Sequence, residues 1–373
     1  MIPKLYESFS TETTAGAQNY LGSLNSCHKC FVTEVRNGEY TFDLETSIND
    51  PVIQHLRPQR IIEAKPNPFD PNQCFEIQSV KKTTDGKIKA NGKHIRSFAY
   101  QLVSSGEGDY VDVLNKYYLT ADGVWQKLFD EGYITETCPF DFVSDKFLYK
   151  DFYLGFNEPA TLGDIIGGGE GSIINTYGGE LHFDNYHIRH SSFRGKGIYY
   201  PLRYGKNIST GEQSESCVNT YSHIYPYGQV RTSTGKYYYM YGDPYEIPQH
   251  HCATKKIMML DCSEVTRDIA VGPSGGTAEA KAAMTSYAAT YAAAHDVGKI
   301  GLSINIDVRA ELDNMQELGL CDFVNVFFDR DATESVSAQI VSATYNVLLE
   351  RWESLIIGQV PVTLADLVLK NRR

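Results

Sequence analysis

The sequence predicts an α+β protein that is mainly β. Three observations point there: Asn-Gly and Asp-Gly pairs lie between alternating apolar runs, the 373 residues include 26 tyrosines and 31 glycines, and few stretches repeat with a helical period. At this length two to four domains are expected.

Residues 31–44 read FVTEV, RNGE and YTFDL, which places Tyr40, Phe42 and Leu44 on one face and the turn at Asn37-Gly38. Asp85-Gly86 repeats the signal between QCFEIQSVKK and KIKA, and Asn91-Gly92 predicts a further turn. The first hundred residues therefore read as an antiparallel sheet or barrel. From about residue 98 to 166 the period changes. Thr120 is placed to cap a helix carrying Val124, Trp125, Leu128 and Phe129, with Gly132 to end it. A second helix begins at Thr161, with Asp164 three residues on, and the glycines of residues 167–179 end it and turn the chain back.

After Gly179 strand-like sequence resumes in ELHFDNYHIRHSSF, GIYYPLRY, VNTYSHIYPYGQVRT and KYYYMY. One more helix is predicted over residues 277–295, with Ala280, Met284, Tyr287, Tyr291 and Ala294 as its apolar stripe. Residues 302–308 and 323–328 alternate and return the chain to sheet. The order is sheet, helical insert, sheet, helical insert, sheet.

Composition excludes some functions. A net charge of -12 opposes tight, phosphate-led nucleic-acid binding. The start MIPKLYESFS lacks the charged-then-apolar pattern of a secretory leader, and no apolar run approaches the roughly 18 residues of a membrane span, so a chain made in a cytoplasm is expected. The eight cysteines are scattered, which predicts reduced thiols and no disulfide framework.

Each chemical motif is weak on inspection. Gly167 and Gly169 start registers whose sixth positions are Ser172 and Ile174, so neither completes a dinucleotide fingerprint. These glycines also follow a helix, whereas a phosphate loop opens one. GPSGG, residues 272–276, matches G-x-S-x-G, yet the only later histidine is His295, and no aspartate separates it from Ser274. Cys27-His28-Lys29-Cys30 and His250-His251-Cys252 each supply only half of a zinc site. His182, His187 and His190 read as half-exposed sheet residues. No catalytic residue, cofactor or metal is expected.

The stretch GDIIGGGEGSIINTYGGELHFDNY, continued by HIRHSSFRGKGIYYPLRYGKNIS, resembles the signature of the prophage tail protein family, also called minor structural proteins or tail-associated lysin hubs of siphophages. The matching positions are residues 172–177, Gly178, Gly179 and Glu180, residues 183–186, Arg194 and Gly195, then Tyr204, Gly205, Lys206 and Asn207. LGSLNSCHKCFVTEVRNGEYTFDLE is similar to the family's first hairpin and TYNVLLERWESLIIGQ to its closing segment, so the resemblance spans roughly residues 1–360. Pro201 departs from it, because a proline removes a ladder donor.

The resemblance implies a fold similar to the baseplate hub of contractile-tailed phages: two tail-tube-like antiparallel β-barrels with helical insertion domains, assembled as a homotrimer whose six barrels imitate a six-fold ring. The implied division is a first barrel over residues 1–97 and 180–212, a mostly helical insertion over 98–179, a second barrel over 213–272 and 300–360 with its insertion at 273–299, and a tail over 361–373. It further implies a place at the distal tail tip of a virion. The expected partners are tail-tube, tape-measure and receptor-binding or tip proteins, and genome DNA would pass the channel without specific binding. Some relatives continue into a lytic domain, which this chain, ending at Arg373, is expected to lack, so it is expected not to be an enzyme. The competing readings are a tail-associated cell-wall hydrolase, as endopeptidase or glycosidase, and a carbohydrate-binding tip adhesin drawing on the tyrosines.

Overall fold

The computed structural model describes residues 1–9, 17–103, 115–134, 137–154, 160–167, 169, 171–196, 200–273, 275–295, 297–298, 301–308, 317–328 and 335–358. Two compact units are present: one comprises Met1–Glu212 and Asn305–Ile357, and the other is built on Gln213–Ile304.

In the first unit, β1 (Lys4–Phe9), β2 (Ala17–Ser23), β3 (Cys27–Val35), β4 (Tyr40–Ser47), β5 (Ile61–Ala64), β6 (Gln73–Lys82) and β7 (Lys87–His94) form an antiparallel sheet in the order β3-β4-β7-β6-β5-β1-β2. The Asn37-Gly38 and Asp85-Gly86 turns fall where the sequence places them, with positive φ at Asn37 and Gly86. β4 buries Tyr40, Phe42 and Leu44 as its alternation requires. Asn91-Gly92 is a correction: it lies inside β7, not at a turn. A Cβ at Gly92 would run into the Glu76 carbonyl and the Phe42 ring, so this glycine serves close packing beside the irregularity between Ile77 and Ser79.

The chain then forms β8 (Asn115–Leu119), α1 (Ala121–Asp130), β9 (Asp141–Ser144), β10 (Lys150–Leu154), α2 (Leu162–Ile166) and α3 (Ile173–Tyr177). Residues 98–179 thus hold strands beside helices, and the expected mostly helical insertion is mixed. The caps behave as read: Thr120 accepts from the Gly123 N–H at 3.1 Å, and Thr161 and Asp164 form a complete capping box. β11 (Glu180–Asp184) and β12 (His187–Ser191) pair antiparallel, and β9 joins β12 in parallel. Val124, Leu128, Leu162, Ile165, Ile173 and Ile188 meet in one buried cluster that includes these elements.

β13 (Tyr200–Arg203) follows, and β14 (Ile208–Ser216) carries the chain out of this unit. The second unit contains β15 (His223–Thr232), β16 (Tyr237–Tyr241), β17 (Tyr245–Glu246), β18 (Ile257–Asp261), α4 (Ser263–Thr266), β19 (Ala270–Val271) and α5 (Thr277–His295). β15 is the centre of its sheet and pairs with the other four strands. Helix α5 has the predicted bounds but a different buried stripe: Ala280, Met284, Ala288 and Ala292 face inward, while Tyr287 and Tyr291 are partly buried beside them. Alanine at three of these four positions leaves room for the helix to close on β15 and its neighbours.

β20 (Gly301–Val308) brings the chain back, and β21 (Phe323–Phe327), β22 (Val336–Asn346) and β23 (Arg351–Gly358) complete the strands. Residues 300–360 are expected to complete a second barrel. In the structure β22 pairs antiparallel with β3, and β21 pairs in parallel with β13 and antiparallel with β22, so these strands join the large sheet of the first unit. The first unit is therefore built from both ends of the sequence, and the main path of the large sheet runs open from β14 to β2. Pro201 fits because β13 has, among the described residues, only β21 as a strand neighbour.

His94 gives this unit a pH dependence. It is fully buried and stacks on Tyr40 at 4.4 Å; its Nδ1 accepts from the Arg96 N–H, which leaves the proton on Nε2, 3.0 Å from Gln73 Oε1. Burial, with Arg96 and His182 adding, holds its pKa well below the ordinary 6.5. The unfolded chain then binds a proton that the folded chain refuses. Stability is full well above pH 6.5 and falls as the pH drops through and below that value. Urea midpoints at pH 7.5 and 5.5 should show this loss, and His94→Gln should reduce it.

Candidate functional site

The signature residues start at the end of α3. Ser172 caps its start by accepting from the Asn175 N–H at 3.2 Å. At its other end Lys146 Nζ donates to the Tyr177 carbonyl at 2.7 Å and Lys150 Nζ to the Thr176 carbonyl at 2.5 Å, placing cations where a helix end is negative. Gly178 and Gly179 then turn the chain with φ of 65° and 98°. His190, read as half-exposed, is buried instead, between Ser144 and the Gly178 carbonyl at 2.7 Å. The reason is the strand's alternation: His190 lies on the same face of β12 as Ile188, which packs into the buried cluster.

Asn37, in the β3–β4 turn, fastens this corner to the large sheet. Its Nδ2 donates to the Gly179 carbonyl at 2.9 Å, and its Oδ1 accepts from the Leu181 N–H at 2.7 Å. The next residue, Glu180, accepts from the Arg194 N–H at 2.7 Å and from Gln339 Nε2 at 2.7 Å, and Arg36 stands 3.7 Å away. Gln339 also donates to the Cys321 carbonyl, and Arg36 donates to Gln339.

Arg194 forms the centre. Its guanidinium grips Glu34 with two bonds of 2.6 and 3.1 Å and lies 3.6 Å from Asp70. Asp70 accepts from Asn67 at 2.8 Å, and His182 Nε2 stands 3.1 Å from it without an aligned hydrogen bond. Burial alone would raise the Asp70 carboxyl, but His182, Asn67 and Arg194 outweigh it and hold the group below the usual carboxylate range. Burial opposes the charge of Arg194 too, yet Glu34 and Asp70 hold its pKa above the ordinary value. Gly195 follows because a Cβ there would run into the Cys321 carbonyl. Asp322 closes the far side by accepting from the Lys196 N–H at 2.6 Å and the Gly319 N–H at 2.8 Å.

Of the expected site residues, Gly178, Gly179, Glu180, Arg194 and Gly195 thus meet in one network. Tyr204, Gly205, Lys206 and Asn207 form a separate turn. There Gly205 has φ 74°, and buried Asn207 accepts from the Arg203 N–H at 2.6 Å and donates to the Pro201 carbonyl at 3.1 Å, while Tyr204 and Lys206 are exposed. Sequence reasoning missed Glu34, Asn37, Asp70, Asp322 and Gln339. Only Asn37 carried a local signal, as a turn residue.

The network borders a cavity of about 250 Å³ lined in part by Glu34, Asp70, His182, Arg194, Asp322 and Trp352. Its charged groups are spent on one another or on backbone N–H groups, so the arrangement is suited to holding segments in place. Among the described residues no group of three His, Cys, Asp or Glu is placed to hold a metal. In the CxxC pair Cys30 is buried and burial pushes the Cys27 thiol up to about 12, which makes both poor thiolates at neutral pH. Ser274 of GPSGG lies outside the described residues. Its neighbours Gly272 and Gly275 exchange backbone hydrogen bonds in a tight turn before α5.

The two glycines can be ranked. Gly179→Ala would place a Cβ 2.5 Å from the Ser191 carbonyl oxygen on top of a positive φ, whereas at Gly178 the nearest atom, Lys146 Nζ, is 3.7 Å away. Gly178→Ala should cost about 1–3 kcal/mol from backbone strain alone, and Gly179→Ala more. Denaturant midpoints of the two variants check the order.

No protein-family model matches the chain, and no curated protein matches it in sequence. Solved structures do match it in shape. Prophage tail protein gp18 from Listeria monocytogenes EGD-e aligns over 100% of this chain and 98% of its own, with a TM-score of 0.59 and 11% identity. The chain has the fold of prophage tail proteins. A tail protein from Neisseria meningitidis MC58 aligns over 96% of this chain and 97% of its own, at TM-score 0.56 and 9% identity. The 43 kDa tail protein of prophage MuSo2 from Shewanella oneidensis aligns over 97% and 99%, at TM-score 0.56 and 11% identity. The tail-protein fold thus extends over both units, and it agrees with the resemblance read from residues 172–207.

Proposed function

We propose that this chain is a structural component of a phage tail, acting by assembly and not by catalysis. The observation that carries the reading is the fold match, which runs end to end through the tail proteins and through both units of this chain. In this reading the chain is a homotrimeric hub at the distal end of the tail. Each copy contributes two tube-like sheets, and three copies supply the six positions of a tail-tube ring. Tail-tube, tape-measure and tip or receptor-binding proteins are its neighbours, and genome DNA passes without specific contacts. The net charge of -12 suits that passage, since carboxylates on the lumen wall keep DNA from adhering.

The buried network has a mechanical role here. Glu34, Arg194, Asp70 and Glu180 tie the hairpin turn, the glycine corner and the returning strands together. Gly178, Gly179, Glu180, Arg194 and Gly195 are then residues of assembly geometry, and Tyr204, Gly205, Lys206 and Asn207 shape a separate turn.

Immunogold electron microscopy of phage particles, with antibody to this chain, tests the proposal. Label confined to one tail end supports the hub reading, and label absent from particles with accessible tips rejects a virion role. Light scattering on the purified chain tests the trimer separately, with a mass three times 41.8 kDa expected.

A further inference from the structure

The loop between β9 and β10 exposes more apolar surface than a solvent-facing loop needs. Phe147 is 80% exposed, and Leu148 and Tyr149 are each more than half exposed. Tyr149 stacks on Tyr118, itself 68% exposed, with ring centroids 5.6 Å apart, and Val143 on β9 is exposed as well. Single exposed apolar residues are ordinary, but five large ones on one short connection and the strands beside it are not.

The loop is also held rigid. Lys146 and Lys150 bracket residues 147–149, and both direct their ammonium groups to the last carbonyls of α3. Asp145 is fixed too, accepting from the Ser192 N–H at 2.7 Å. A side chain presented this way loses little freedom when covered, which is the property of an anchor residue.

Charge selects what covers it. The two lysines are turned to α3, while Asp141, Asp145 and Asp151 are exposed around the apolar tip; on β12, His187 is exposed beside Asp141, and Arg189 is exposed. The rim is acidic. A second copy of this chain carries a net charge of -12, and a bilayer would bring anionic headgroups, so neither supplies the basic surface that an acidic rim calls for.

We propose that residues 143–149, with Tyr118, form a knob that docks into an apolar pocket with a basic rim on a different tail protein. The inference rests on the tail reading above and names a contact for it.

The test replaces Phe147 with the photocrosslinker p-benzoylphenylalanine in phage particles that carry the full chain, with Leu349, an exposed residue of the β22–β23 turn, as the control position. Illumination should link position 147 to another tail polypeptide at a site flanked by lysine or arginine, with roughly tenfold higher yield than position 349. Linkage to a second copy of this chain, linkage to lipid, or a yield equal to the control overturns the proposal while leaving the tail reading intact. Absence of the chain from particles overturns both. As a second arm, Phe147→Asp should leave the melting temperature unchanged, since the side chain is exposed, and lower incorporation into particles by roughly tenfold. Normal incorporation of that variant also overturns the proposal.

Discussion

Arg194→Met should destabilise the first unit by about 3–5 kcal/mol, because it leaves two buried carboxylates facing each other without their cation. Arg194, Glu34 and Asp70 keep only 13%, 11% and 15% of their side-chain surface in solvent. The methionine fills much of the volume, so the loss reports charge and not a cavity. Arg194→Lys should fall between, since an ammonium keeps the charge but loses the two-pronged grip on Glu34. The double variant Glu34→Gln, Arg194→Met should cost less than the sum of its parts, which a double-mutant cycle in urea would measure. Equal and additive losses would mean the pair is not coupled. Acid has a related effect on the unaltered chain. The Asp70 pKa is held below its ordinary 3.8 in the folded state, so its contribution is full above that value and disappears as pH falls through the lowered one.

Phe75→Ala should cost a similar amount, about 3–5 kcal/mol, by opening a cavity in the sheet core. Phe75 is fully buried, with rings of Tyr40, Phe42 and His94 at 5.4, 5.6 and 5.4 Å. For a unit of this size the melting transition should drop by roughly 10 °C. The second unit draws its core from Ile224, Val230, Leu260, Met284 and their neighbours, all its own residues. Calorimetry should therefore show one transition shift and the other stay in place. A uniform shift of both would show that the units melt as one.

Turn and cap chemistry explains why much of the fold was legible. Asn37-Gly38, Asp85-Gly86, Thr120 and the Thr161–Asp164 box each act within a few residues, so a short window contains the whole cause. Asn91-Gly92 misled because glycine has two uses: the pair looks like a turn, but Gly92 is there for the Glu76 carbonyl passing close by. The destination of residues 323–358 was hidden for another reason. Their alternation announces strands but not partners, and β3, the strand that β22 joins, lies some 300 residues earlier. The candidate site was half legible in the same way. Its glycines and Arg194 sit in one recognisable stretch, whereas Glu34 is 160 residues from Arg194 and Gln339 is 159 from Glu180. Burial of His190 follows from its sharing a face of β12 with Ile188, which packs into the core cluster.

The pairing of β3 with β22 also sets a timetable on the ribosome. Thr33 and Thr344 share a hydrogen bond across 311 residues. At bacterial elongation rates of about 5–20 residues per second, β3 emerges roughly 15–60 s before its neighbour exists. During that interval one edge of the nascent sheet is open, the second unit has time to fold ahead of the first, and the waiting strand is exposed to pairing with other nascent chains. Yield in the cell should then depend on chaperones and on translation speed more than the finished stability of the protein would lead one to expect.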